Sequence, residues 1–352
     1  MKSIRFILFL STFVALFSSC STDVDLYAEY QDVPIIYALL NSRADTNYVK
    51  ITHAFCGTND DHINANEVAL IYDSSNYPGK LDVRIMEMKN RIGGSYEPTG
   101  RVLVLDTMTI HNKKVGTFYA PDQIVYYTAE PFNAGTEDTH YKYRLQVVVP
   151  DGDTLTAQTV MVGNEELRIL TYSLNFEETV SNAMNKIMFR ADGVARLYEV
   201  SIQFNYREQK EGQAMKHKSV SRSFGTRTLD EFIKVEGTEN TYYLECGVGW
   251  LFYALAEAIG NDTVVDPEHP NVVRYFDNIV ISLGAAGDDL YYYYAANYAQ
   301  QISPVGFVSV YSNIDGGYGL FSSRAQIDKE CRLSKWTLRD LYGKTSWGFQ
   351  EQ

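Results

Sequence analysis

The 352-residue chain is poor in cysteine (4), tryptophan (3), histidine (6) and proline (9). Each shortage excludes a class of protein. Cysteines this few and this scattered rule out a disulfide-rich scaffold and cannot by themselves build a metal centre. The histidines, His53, His62, His111, His140, His217 and His269, are never closer than nine residues, so no helical pair of zinc ligands exists. There is no G-x-S-x-G nucleophile elbow and no phosphate-binding loop. Gly247-Val248-Gly249 opens like a dinucleotide fingerprint, but Phe252 stands where the third glycine belongs and no βαβ unit surrounds it. Basic charge is also short, with 31 Lys and Arg against 44 Asp and Glu. The resulting net charge of −13 disfavours nucleic acid and anionic lipid surfaces as partners. No metal, cofactor or catalytic residue is therefore expected.

What is present begins at the N-terminus. Lys2 and Arg5 form a positive n-region, Ile7 to Phe17 is an apolar run too short to span a bilayer, and Ser18-Ser19 lead into Cys20. This pattern predicts a signal peptide over residues 1–19, cleaved so that the Cys20 thiol carries fatty acyl chains such as palmitate. Beyond it no apolar run has membrane length, so the lipid is the expected bilayer anchor, each buried methylene adding about 0.8 kcal/mol. Cleavage takes the formal charge from −13 to −15, because Lys2 and Arg5 leave and no acid does. Residues 20–29, polar and acid-bearing, read as a tether. Cys56, Cys246 and Cys331 are an odd remainder; one bridge with one thiol, or three buried thiols, both fit.

The texture of the mature chain is β. Pro34 to Leu40, Tyr48 to Phe55, Leu81 to Met86 and Arg101 to Ile110 read as strands. Tyr141 to Val149 and Thr154 to Val160 form a hairpin turned at Pro150-Asp151-Gly152-Asp153. This spacing predicts an immunoglobulin-like sandwich over 30–163, with the boundary at Gly163-Asn164. A β-rich domain with two or three helices follows over 164–330, then a C-terminal tail with a short helix over 331–352. Leu197 to Arg207 is its clearest strand, Ala214 to Phe224 the return, and Arg274 to Leu283 another. Gly249 to Ile259 puts Leu251, Phe252, Leu255 and Ile259 on one helical face before Gly260. Asp288-Asp289 open a helix to Gln301, and Ser334 caps one from Lys335 to Tyr342. The acidic loops around Asn59, Asp60 and Asp61, and around Asp262, Asp266 and Glu268, lack the spacing of a calcium motif and read as solvated.

Tyrosine is abundant, with 27 residues, four of them consecutive at Tyr291 to Tyr294. Four in a row point all around a helix, so some must pack and others remain free for contact. Near the C-terminus, Ser312-Asn313-Ile314-Asp315-Gly316-Gly317-Tyr318-Gly319-Leu320-Phe321 resembles the closing signature of a Bacteroidetes lipoprotein family catalogued as a domain of unknown function. The Leu-Tyr-x-Tyr pattern of Leu290 to Tyr293 and the Ser18-Ser19-Cys20 start are similar to that family too. Members are often encoded beside TonB-dependent receptors. The resemblance implies an outer-membrane lipoprotein, on the cell surface or facing the periplasm, and supplies no catalytic residues. The expected function is a non-enzymatic binding or accessory subunit of an outer-membrane assembly or uptake system. A TonB-dependent receptor or another outer-membrane protein is the expected partner, with Tyr291, Tyr294, Tyr298, Tyr318 and Phe321 as contact residues. The alternative is a lipid-anchored hydrolase of glycans or peptides. Mass spectrometry of the mature N-terminus is expected to show an acylated Cys20; an unmodified N-terminus at Ser21 or beyond would contradict it.

Overall fold

A computed structural model describes residues 33–351 apart from 55–64, 72–74, 92, 117–118, 121, 151, 178–182, 267–269 and 303–310. Cys20, the expected signal peptide and tether, Cys56, the loop around Asp60 and Glu268 lie outside the described residues. Among the described residues the chain is mainly β, with one mixed and two antiparallel sheets, three helices longer than one turn and a single α-helical turn at Ala65–Val68. The first strands are β1 (Pro34–Leu40), β2 (Asn47–His53), β3 (Asp82–Arg91), β4 (Glu97–Val104), β5 (Asp106–Ile110) and β6 (Gln123–Thr128). Then come β7 (Gly135–Thr136), β8 (Thr139–Val148), β9 (Thr154–Val160), β10 (Arg168–Ile169), β11 (Ser173–Leu174) and β12 (Met184–Arg190). The last are β13 (Leu197–Lys210), β14 (Lys216–Thr228), β15 (Ile233–Lys234), β16 (Thr241–Gly247), β17 (Val272–Ala286) and β18 (Tyr318–Leu333). The helices are α1 (Trp250–Ile259), α2 (Asp288–Ile302) and α3 (Lys335–Gly343).

A nine-stranded sheet runs β14-β13-β17-β18-β1-β2-β6-β5, with β11 added against β18. A five-stranded sheet runs β4-β3-β8-β7 with β9 also on β8, and a four-stranded sheet runs β10-β12-β16-β15. The expected hairpin is β8 and β9, whose register runs from Val148↔Thr154 to Lys142↔Val160. Arg101 to Ile110, expected as a single strand, is divided between two sheets. Leu105, almost fully buried and bonded through its N–H to the Val83 carbonyl at 2.9 Å, carries the chain across the core. β4 therefore belongs to the five-stranded sheet and β5 to the nine-stranded one.

Two hydrophobic cores result. The first gathers Ile36, Leu40, Ile51, Val83, Ile85, Leu145 and Val147 from the large and five-stranded sheets and takes in Ile314 and Phe321 from far along the sequence. The second holds Val200, Ile202, Phe204, Ile279 and Ile281 against Phe189, Leu244 and α1. In α1 the buried face is Leu251, Phe252, Leu255 and Ile259, as helical spacing dictates. Met161 belongs to the first core and Val162 to the second. At that crossing the fully buried Asp192 accepts from the N–H groups of Gly163 at 2.7 Å and Asn164 at 3.2 Å. Cys246 and Cys331 are separate buried thiols, pushed up in pKa by burial, so no bridge joins them.

Arg274, with no exposed surface, pins the C-terminus beneath the second core. It donates to Glu208 at 2.8 Å, to the Trp347 carbonyl at 2.7 Å and to the Asp262 carbonyl at 2.9 Å. Burial alone would raise Glu208, but Lys218 and Arg274 together hold its carboxyl below the usual range. Phe349 then packs into the core beside Phe204 and Tyr206. Asp262 is ion-paired with Lys210 at 2.6 Å, which is a structural use of that acid.

The closing signature is a clasp. Asn313 donates to the Phe321 carbonyl at 2.8 Å and accepts from its N–H at 2.9 Å. Asp315 exchanges backbone hydrogen bonds with Thr156 on β9, while β18 runs parallel to β1 from Tyr318 to Ser323. The ten residues thus join both sheets of the first core. Gly316 has φ +83° and Gly319 φ +123°. A Cβ on Gly319 would strike the Ile36 carbonyl, whereas one on Gly316 would meet only the end of the Leu155 side chain at 3.0 Å. Gly319→Ala is therefore expected to cost about 3 kcal/mol or more, and Gly316→Ala about 1 kcal/mol. Chemical denaturation of both variants checks this, and equal losses would show that the approach to β1 is not limiting.

Candidate functional site

The outward face of the large sheet is where the chemistry-bearing side chains collect. On β1 the residues Ile36, Ala38 and Leu40 face the core, so Ile35, Tyr37 and Leu39 face away. On β18 the register with β1 puts Tyr318, Leu320, Ser322, Arg324 and Gln326 on the same face as Tyr37, opposite Phe321, Ser323 and Ala325. Leu320 and Ser322 are nonetheless buried on that face, while Tyr318, Arg324 and Gln326 are exposed. Helix α2 lies across this face. It starts where β17 ends, with the Gly287 N–H bonded to the Ser323 carbonyl at 3.1 Å and the Leu290 N–H to the Ser322 hydroxyl at 3.1 Å. One of the helix's orphan donors is thereby satisfied by the sheet. Among the described residues no helix is long and apolar enough to cross a membrane.

A polar cluster surrounds the first turn of α2. Asp288 is paired with Arg196 at 3.5 Å, and the Arg196 guanidinium stacks over the Tyr291 ring at 4.2 Å. Arg196 also donates to the Tyr292 hydroxyl at 3.2 Å. Asp289 turns inward and accepts from the Tyr311 hydroxyl at 2.9 Å. Burial raises the Asp289 carboxyl above its ordinary range, against the opposing hydrogen bonds of Tyr311, Thr159 and Asn313. Burial and the Asp289 charge push Tyr311 upward in turn. A cavity of about 570 Å³ opens here, lined by Tyr96, Lys142, Arg196, Asp288, Asp289 and Tyr292. On the other flank a groove of about 610 Å³ lies between α2 and the sheet, with Tyr293 and Tyr294 on its helical wall.

The expected contact residues divide. Tyr294 and Tyr298 are 46% and 54% exposed and stack on one another, with ring centroids 6.4 Å apart. Tyr318 is 54% exposed at the start of β18. Tyr291 is half-buried beneath Arg196. Phe321, grouped with them on sequence, is fully buried in the first core; it is a packing residue and not a contact, because strand alternation turns it to the face opposite Tyr318, against Ile36 and Ile314 of that core. Tyr37, Arg196, Asp289 and Tyr311 also belong to this surface with no sequence signal linking them, and Tyr292, within the Tyr291–Tyr294 run, joins them. Only the acidic start of α2 could have drawn attention to Asp289.

No protein-family model matches the chain, and no curated protein matches it. Among the described residues no group of three His, Cys, Asp or Glu side chains converges as a metal site.

The shift of Asp289 has a pH consequence. Its folded pKa is raised, so the stability it contributes is present below the ordinary aspartate pKa of about 3.9 and is lost as pH rises through the folded value. Asp289→Asn keeps an acceptor for Tyr311 and removes that loss. Its melting temperature is expected to exceed that of the wild type near neutral pH and to converge with it at about pH 4. A pH-independent difference would show that Asp289 does not titrate across this window.

Proposed function

We propose that this chain is a lipid-anchored binding or accessory subunit of the outer membrane, tethered through Cys20 and engaging an outer-membrane protein such as a TonB-dependent receptor. The observation that carries this reading is the aromatic surface around α2. Tyr37, Tyr292, Tyr294, Tyr298 and Tyr318 are each between 44% and 54% exposed on the helix and the strands beside it. Packing the fold does not require so much tyrosine to stay open, and interface centres are enriched in it. A lipid anchor confines the chain to the partner's membrane, where effective concentration strengthens a weak contact. The resemblance of the closing signature and of the Ser18-Ser19-Cys20 start to Bacteroidetes lipoproteins supports the same placement. So do the two sheets that share the first core, which we take as an immunoglobulin-like sandwich extended by the clasp.

A second reading, hydrolysis of glycans or peptides, is favoured by one observation. Asp288 and Asp289 line one cavity, and the raised Asp289 carboxyl is the kind of group that serves as a general acid.

Pull-down of the lipidated protein from solubilised native membrane separates the two. The expected result is recovery of a defined outer-membrane protein, reduced at least tenfold by the double variant Tyr298→Ala/Tyr318→Ala with its melting temperature unchanged. Recovery of the lipoprotein alone, together with hydrolysis of a glycan or peptide panel that Asp289→Asn abolishes, would replace the first reading with the second.

A further inference from the structure

We propose that the groove between α2 and the outward face of the large sheet is a binding site for a short oligosaccharide. This goes beyond the partner contact proposed above: the two share Tyr294, but Tyr298 and Tyr318 lie outside the groove.

The floor of the groove is set by strand register. Thr226, Glu199, Gly284 and Gln326 lie in one row across β14, β13, β17 and β18. Two residues along, Leu197, Ala286 and Arg324 form the next row on the same face. The central strand contributes only Gly284 and Ala286, while larger side chains (Glu199 and Leu197 on one side, Gln326 and Arg324 on the other) flank them, so the rows make a trough. The roof is one face of α2, with Leu290, Tyr293, Tyr294 and Asn297 at helical spacing. Gly284 is not demanded by its backbone or by packing: a Cβ there would meet Glu199 atoms at an ordinary 3.8 Å. Its absent side chain keeps the trough open.

Among the described residues, the polar groups around this trough are half used. Glu199 accepts from Ser223 through Oε1 at 2.8 Å, leaving Oε2. Gln326 donates through Nε2 to Asp328 at 3.1 Å, leaving its carbonyl. Asn297 donates through Nδ2 to the Tyr293 carbonyl at 2.9 Å, leaving Oδ1. Asn41 accepts from the Arg43 N–H at 2.9 Å, leaving its amide donors. Arg324 makes no hydrogen bond or ion pair among the described residues, although the chain is strongly acidic. The trough therefore offers fixed acceptors and fixed donors together, between aliphatic and aromatic surfaces.

A saccharide answers both demands. Its hydroxyls donate and accept, adjacent hydroxyls match planar amide, carboxylate and guanidinium groups, and its C–H faces rest on tyrosine rings. A purely apolar ligand would strip water from these polar groups without replacing its hydrogen bonds. An extended peptide needs a free strand edge; β13, β17 and β18 each have neighbours on both sides, and the free edge of β14 faces away from the trough. The volume of about 610 Å³ falls in the range of small-molecule sites.

The test titrates the full mature protein in detergent with a panel of neutral and uronic-acid oligosaccharides and with acetylated peptides, followed by ligand-observed NMR and calorimetry. At least one oligosaccharide is expected to bind. Gly284→Leu, which fills the trough, and Arg324→Ala are each expected to weaken it at least tenfold with melting temperatures unchanged, and Arg324→Lys to restore part of the affinity. Uronic acids outperforming neutral sugars in an Arg324-dependent way would place a carboxylate on that guanidinium. Absence of saccharide binding, peptide binding in its place, or affinity indifferent to both variants would overturn the proposal. No membrane partner is present in this assay, and Tyr298 and Tyr318 are unchanged in it, so its failure leaves the partner reading to its own pull-down.

Discussion

The structure depends on one strand serving two cores. β18 runs parallel to β1 from Tyr318 to Ser323 and antiparallel to β17 from Arg324 to Cys331. Phe321 fills the first core, and Ala325, Cys331 and Leu333 fill the second. A hydrogen-bonded ladder is cooperative along its length, so displacing either half of β18 exposes apolar surface in the core it serves and breaks the ladder that continues into the other. Ser323 reinforces the crossing: its hydroxyl donates to the Val160 carbonyl at 2.6 Å and accepts from the Val162 N–H at 3.1 Å, just where the chain passes between cores.

The same strand builds the surface that gives the protein its proposed roles. Strand alternation puts Phe321, Ser323 and Ala325 on one face and Tyr318, Leu320, Ser322 and Arg324 on the other, where Tyr318 and Arg324 stay exposed and Leu320 and Ser322 are covered. Ser322 then anchors the start of α2, and α2 lays its tyrosines over β18 and β1. Polar groups that are distant in sequence, such as Arg196 and Asp288 or Arg324 and Asn297, become neighbours because α2 follows directly from β17 and folds back over the sheet. The site is thus a consequence of the clasp, assembled on rigid elements.

The segment from Ser312 to Phe321 is legible as mechanics. Asn313 imitates a strand partner for Phe321, Ile314 plugs the first core, Gly319 admits the Ile36 carbonyl, and Phe321 locks the strand in place. Nearly every position in it has a packing or backbone task. Tyr318 is the exception, and its exposure marks it as available for contact.

Much of the secondary structure was legible locally. The 139–160 hairpin, the long β13 and β17 strands, the buried face of α1 and the Ser334 cap of α3 follow from period, turn chemistry and capping, which act within a few residues. What the sequence alone left undetermined is whatever requires distant residues to meet. Nothing near Phe321 distinguishes a contact residue from a core residue, because its burial depends on β1 lying beside it. The division of Arg101 to Ile110 between sheets depends on Leu105 finding a core built by other strands. The groove exists only because Glu199, Gly284 and Arg324 share a register that no local pattern encodes. Local periodicity chose the elements; long-range pairing, worth its entropy only once both cores close, decided where they meet.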